Sequence, residues 1–225
     1  MEAIEWLFAF RFEDMPFVFI ALAVAFTVHE FAHAWAAYRF GDETAKREGR
    51  LTLNPRKHLD VIGTILIFLV GFGWAKPVPV NRANFKYPRT MGIAVSAAGP
   101  LSNLLLVFLS LLAAALLAHA GFRPDSSGLA LAVDRLLNIM IYLNAVLFVF
   151  NLIPLPPLDG WRILEDAAPP AARIRMQQFA HWGTFVFLLL VFIPPLRKAT
   201  IQPLFVFAYT DLVPWAGNIV SAIAG

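Results

Sequence analysis

The chain has 225 residues, 59% hydrophobic and 15% charged, with a mean hydropathy of +0.67. That composition excludes an ordinary soluble domain and leaves a polytopic membrane protein, a single membrane-embedded domain over 1–225 with room for about half a dozen spans of roughly 20 residues each. A net charge of +3 and a pI near 9.4 point to basic cytoplasmic loops and no nucleic-acid partner, and the absence of cysteine restricts any metal to His, Asp or Glu ligands.

The N terminus, MEAIEWLFAFRFEDM, lacks the basic n-region and small-residue cleavage site of a signal peptide, so insertion into the bilayer relies on retained segments. Residues 17–40 are apolar apart from Arg39 and a short motif, and at ~1.5 Å per residue they are long enough to cross a bilayer. A polar loop over 41–60 carries Lys46, Arg47, Arg50, Arg56 and Lys57. Within it Arg50, Leu51, Thr52, Leu53 and Asn54 alternate as a short edge strand or hairpin arm would. Residues 61–75 are apolar but short, interrupted by Gly63, Gly71 and Gly73 and followed by the extended-looking KPVPVN, a pattern that predicts a re-entrant segment.

Spans over 91–119 and 129–151 follow, the first opening with SAAGPLSN, whose small residues suit close helix contact. After NLIPLPPLDG come a loop with Arg162, Arg173 and Arg175, a span over 179–193, and a last apolar segment over 201–223 made irregular by Pro203 and Pro214. The fold class is therefore an all-α polytopic membrane protein with five to six transmembrane or re-entrant helical segments and one short β-element. With 61–75 re-entrant, the basic loops 41–60 and 76–90 share one side, which the positive-inside rule makes cytoplasmic. The 153–178 loop joins them. Arg123, the Arg197-Lys198 turn and the N terminus then lie outside.

The motif in the first span is HEFAH. His29 and His33 are four apart and stack on one helix face, so their imidazoles can meet one zinc ion at ~2.0 to 2.1 Å. Glu30, one residue round, reaches a water on that metal as general base. The competing reading is a helix whose histidines merely pair with other helices. Against it stands the cost of ionisable groups in a span, ~2.5 kcal/mol or more for each charged residue near the centre. For a third ligand, His58 lies in a polar loop and His119 and His181 near span ends, whereas Asp159 follows Pro154, Pro156 and Pro157, which break the fourth helix, and precedes Gly160, which allows a tight turn back into the bundle. Taken alone, Asp159 reads equally well as a helix N-cap.

Together, HEFAH in the first span and NLIPLPPLDG after a later one resemble the signature pair of the site-2 protease family, zinc intramembrane metalloproteases of the M50 type. GRLTLNPRKHLDVIGT, GWAKPVPVN and SAAGPLSNLLL are similar to that family's connecting segments, so the resemblance covers roughly residues 25 to 165. It implies one Zn2+ held by His29, His33 and Asp159, Glu30 as base, and regulated intramembrane proteolysis of single-span membrane-protein substrates near the cytoplasmic side of a prokaryotic plasma membrane. The chain has no room for the PDZ or CBS domains of many relatives, so the expectation is a minimal form.

A substrate helix must unwind before its peptide bond is accessible. The strand 50–54 and the extended 76–81 are the candidates to hold it by strand addition. Asn151 is a candidate to hydrogen-bond substrate backbone or the oxyanion, with helix-to-helix bonding as its alternative. The same pair of readings applies to Asn103 and Asn144. His58 and Asp60 read as a solvated loop pair or a gate at the membrane edge. The alternative function is a zinc-binding transporter or channel without hydrolysis, for which a non-liganding carboxylate beside the metal has no evident use. A silent membrane scaffold is disfavoured by the filled catalytic positions.

Overall fold

A computed structural model describes residues 10–124 and 128–224. A 3-10 turn, Phe12–Asp14, leads into helix α1, Met15–Arg39, with Pro16 in the first turn, where its missing backbone donor is not needed. Helices α2, Thr44–Arg47; α3, Val61–Val70; α4, Pro88–His119; α5, Gly128–Asn151; and α6, Asp159–Ala167, follow. Then come α7, Pro170–Phe192; α8, Pro194–Phe207; a π-helical turn, Ala208–Leu212; and α9, Val213–Ala224.

Three helices, α1, α4 and α5, are long and apolar enough to cross a membrane. The two separate spans expected over 179–193 and 201–223 are instead one broken pair, α7 with α8 and α9, bent by 92°. Ile193 is extended at the break, because Pro194 disfavours helical geometry in the residue before it. Among the described residues the spans therefore number three, or four with the bent pair.

The re-entrant expectation for 61–75 has a concrete form. Asp60 caps α3 through Gly63 N–H at 2.8 Å, and Gly71 ends it in the left-handed region at φ 73°. The ten residues rise about 15 Å, half of a ~30 Å hydrocarbon core. The chain then doubles back: Lys76 N–H donates to His58 O at 2.8 Å and Leu59 bridges Ala75 antiparallel. Gly63 and Gly73 make the return possible, since a Cβ on Gly63 would overlap the backbone of Trp74 and one on Gly73 the backbone of Gly63.

That bridge is the only β-pairing among the described residues, and Arg50, Leu51, Thr52, Leu53 and Asn54 form no strand or hairpin. Short polar side chains take the backbone donors instead. Thr52 Oγ1 accepts from Asn54 N–H at 3.2 Å, and Asn54 Oδ1 accepts from Arg56 N–H at 3.1 Å at the start of the 3-10 turn Pro55–Lys57. Arg50 turns inward and donates to Lys76 O at 2.7 Å.

Packing is inverted relative to a soluble protein. On α4 the buried positions are Gly92, Val95, Ser96, Gly99, Pro100, Asn103, Val107 and Ser110, while Leu101, Leu105 and Leu109 are exposed. Small and polar groups meet α1 and α5, and leucines are left for lipid. At the end of the bundle that carries the basic loops, Asp42 is fully buried and accepts from Thr44 N–H and Oγ1, from Asn81 N–H at 2.7 Å and from Asn84 Nδ2 at 2.7 Å. Arg89 donates to the carbonyls of Asp166, Ala167 and Ala168, which would otherwise be unsatisfied at the end of α6. The loops after α1, after α3 and after α6 thus gather on one side.

Two outcomes follow. Single cysteines replacing Arg47 and Lys86 should be labelled from the same side of the membrane, and labelling from opposite sides would contradict the doubled-back segment. Burial alone would raise the carboxyl of Asp42, but the hydrogen bonds from Thr44, Asn81 and Asn84 outweigh it and hold the group below its ordinary 3.8. A depressed folded value contributes stability above the unfolded value that is lost as pH falls through the folded one. Unfolding in detergent should show that loss below about pH 4, and Asp42→Ala should remove it while costing on the order of 2 kcal/mol at neutral pH.

Candidate metal centre

α1 presents His29 and His33 one turn apart on its buried face. The third group arrives from the other end of the chain. Proline stops α5, Leu158 is extended, and Asp159 opens α6. His29 Nε2 lies 3.2 Å and His33 Nε2 3.3 Å from Asp159 Oδ2, and the two nitrogens are 3.0 Å apart.

The protons of this cluster can be placed. His33 Nδ1 lies 2.7 Å from Val95 O, which only accepts, so Nδ1 carries the hydrogen. His29 Nδ1 lies 2.7 Å from Asn103 Oδ1, and the amide nitrogen of Asn103 donates to Asn144 Oδ1 at 2.9 Å, which assigns Asn103 Oδ1 as acceptor. In the neutral rings both Nε2 atoms are therefore bare lone pairs, and both face Asp159 Oδ2, which is buried without a hydrogen-bond partner. Three electron-pair donors in mutual contact with no proton between them repel unless a cation sits among them. Tetrahedral zinc with bonds of ~2.0 to 2.1 Å sets its ligand atoms ~3.3 Å apart, close to the spacing found. Gly99 of α4 lies over the same spot, where a Cβ would strike Nε2 of both histidines.

Glu30 is buried beside this set but outside it; its Oε2 accepts from Val78 N–H at 2.8 Å. Glu30, His29, His33, Asp159 and Asn151 all line one cavity of about 450 Å³. Asn151 donates back to Leu147 O of its own helix at 3.0 Å.

The two strand candidates separate. Pro77, Val78 and Val80 of 76–81 line the cavity, whereas Arg50, Leu51, Thr52, Leu53 and Asn54 do not; of these, Arg50 holds Lys76 O and Leu51 packs in one cluster with Val78 and Val80. His58 is fully buried, so it is not a solvated loop residue. It donates from Nε2 to Thr52 O at 2.7 Å, and burial holds its basicity below the ordinary histidine value. Asp60 is the cap of α3. Sequence reasoning left the roles of Asn103 and Gly99 open. Their i, i+4 spacing within SAAGPLSN puts both on one face of α4, which was the available signal.

Comparison with known proteins agrees with this geometry. The profile described as "Peptidase family M50" matches residues 124–194, which include Asp159. The chain is 53% identical over 190 residues to "Putative zinc metalloprotease YwhC" of Bacillus subtilis, covering 84% of this chain and 86% of that one. It is 30% identical over 234 residues to "Putative zinc metalloprotease Rip2" of Mycolicibacterium smegmatis, covering 98% and 85%. No solved structure matches. A helical membrane bundle with a His2Asp donor set and an adjacent carboxylate is the framework of a membrane-embedded zinc metalloprotease. This chain belongs to peptidase family M50, the site-2 protease family.

Elemental analysis of detergent-purified protein should find one zinc per chain, lost in His29→Ala, His33→Ala and Asp159→Ala. Gly99→Ala should empty the site with helicity intact. Asn103→Ala should weaken zinc binding by about 10- to 100-fold, because the His29 ring loses its orienting acceptor.

Proposed function

We propose that this protein is an intramembrane protease, a single membrane-embedded domain that holds one zinc through His29, His33 and Asp159. It hydrolyses a peptide bond within or near the transmembrane helix of a single-span substrate, at the cytoplasmic side of a prokaryotic plasma membrane, in regulated intramembrane proteolysis. The observation that carries the reading is the division of labour around the cavity: three donors converge on one point, and the fourth ionisable group, Glu30, stands next to them without joining them. A transport site needs ligands only.

Zinc in this donor set would supply Lewis-acid polarisation of the scissile carbonyl and of the attacking water. Glu30 takes the proton of that water and delivers it to the leaving amine. Its hydrogen bond to Val78 fixes the carboxylate relative to the extended segment 76–81, the candidate to receive the unwound substrate as a neighbouring strand. Asn151, on the cavity wall, is the candidate to hydrogen-bond substrate backbone. The gathering of Lys46, Arg47, Arg56, Lys57, Lys86 and Arg89 at the loop end supports the cytoplasmic assignment.

Glu30→Gln tests the mechanism. The amide keeps the size of the side chain but cannot take the proton, so zinc content should remain at one per chain while cleavage of a helical substrate falls by ~10² or more on the same preparation. Undiminished cleavage would remove Glu30 as base, and zinc flux through liposomes without cleavage would favour the transporter.

A further inference from the structure

An arginine that forms no salt bridge among the described residues shares the cavity with the donor set. Arg162 lies three residues after Asp159 on α6, so both side chains leave one face of that helix, about 4.5 Å apart along its axis. Both line the cavity. Arg162 is exposed, and among the described residues it forms no salt bridge. The neighbouring charges are already matched. Arg82, also on the cavity wall, forms an ion pair through Nη2 with Asp166 Oδ2 at 2.8 Å, and the enclosed Asp166 carboxylate is shared with Arg173 at 3.4 Å, which also meets Glu165 at 3.6 Å. Two acids thus answer Arg82 and Arg173. Asp159 and Glu30 together balance a divalent ion. Arg162, whose charge also reaches Asp166, is the third arginine facing the two acids Glu165 and Asp166.

Much of the rest of the wall is apolar, with Phe26, Leu147, Phe150 and Phe187 among its residues. A substrate carboxylate entering such surroundings is penalised unless an opposite charge receives it, and a planar guanidinium does so with two parallel hydrogen bonds. We propose that Arg162 determines specificity by receiving an Asp or Glu side chain of the peptide substrate. At ~3.3 Å per residue of extended chain, one turn of α6 plus the arginine arm covers positions about one to three residues from the scissile bond. This rests on the protease reading of the site.

The test uses a single-span helix cleaved by the wild-type enzyme, remade with Asp, Asn or Lys at each position within three residues of the cut. At one position Asp should be preferred over Asn by about tenfold in kcat/KM, a difference of about 1.4 kcal/mol. Arg162→Gln should bring that ratio to about one, and Arg162→Glu should make Lys the preferred residue at the same position. A ratio unchanged in Arg162→Gln, whatever the total activity, would overturn the proposal, as would no acid preference in the wild type. Fluorescence anisotropy with the labelled Asp and Asn helices gives the same comparison without turnover. If no helix is cleaved, the protease reading fails on that ground alone. Tighter binding of the Asp helix by wild type than by Arg162→Gln still supports the carboxylate site, and equal binding removes it.

Discussion

Hydrocarbon offers no water to an imidazole, so every ring nitrogen placed in a span has to be answered by protein. In this chain the answer to His29 is a relay: its Nδ1 donates to Asn103, Asn103 to Asn144, and Asn144 to Met140 O at 2.8 Å. One line of hydrogen bonds crosses α1, α4 and α5. His33 is answered by Val95 O of α4. Because every outward nitrogen is satisfied, the inward ones are left bare, and the fold that packs the helices is the same arrangement that prepares the ligands. The small face of α4 is the condition for all of it, since any side chain at Gly99 would strike both histidines.

A second set of bonds holds the extended segment beside the cavity. Arg50 takes Lys76 O, Glu30 takes Val78 N–H and Asp42 takes Asn81 N–H. Three side chains from the end of α1 and the loop after it thus fix the start, middle and end of six residues. Such fixing removes backbone freedom before any partner arrives, which lowers the entropic cost of adding a strand. The middle bond belongs to the residue assigned as base, so the position of the segment and the aim of the carboxylate are set together.

Much of this was readable in the sequence because membranes restrict the alternatives. Apolar length located α1, α4 and α5 to within a few residues, and the cost of charge in a span singled out His29, Glu30 and His33. Asp159 was legible through the prolines that stop α5. The failures have local causes. RLTLN has the period of a strand, but Thr52 and Asn54 bind their own backbone, and Arg50 is drawn away to Lys76. Asn103, Asn144 and Asn151 look alike as letters; only the partner distinguishes a residue that orients a histidine from one that folds back on its own helix. His58 carries no mark in the sequence of being enclosed, because its partners, Thr52 O for the ring and Lys76 N–H for the backbone, are set by how the loop folds and how the chain returns after α3.

The doubled-back segment turns on two residues with nothing to react. Gly63 on α3 and Gly73 on the return touch through their backbones, and Gly73 is followed within five residues by Val78, the partner of Glu30. The closeness of this return, and with it the place of Gly73 on the cavity wall, is therefore set by hydrogen atoms where side chains would be. A complete substitution scan of this protein would score Gly63 and Gly73 beside His29 and Asp159, and chemical identity alone would not separate the residues proposed to hold the metal from those that define the room around it.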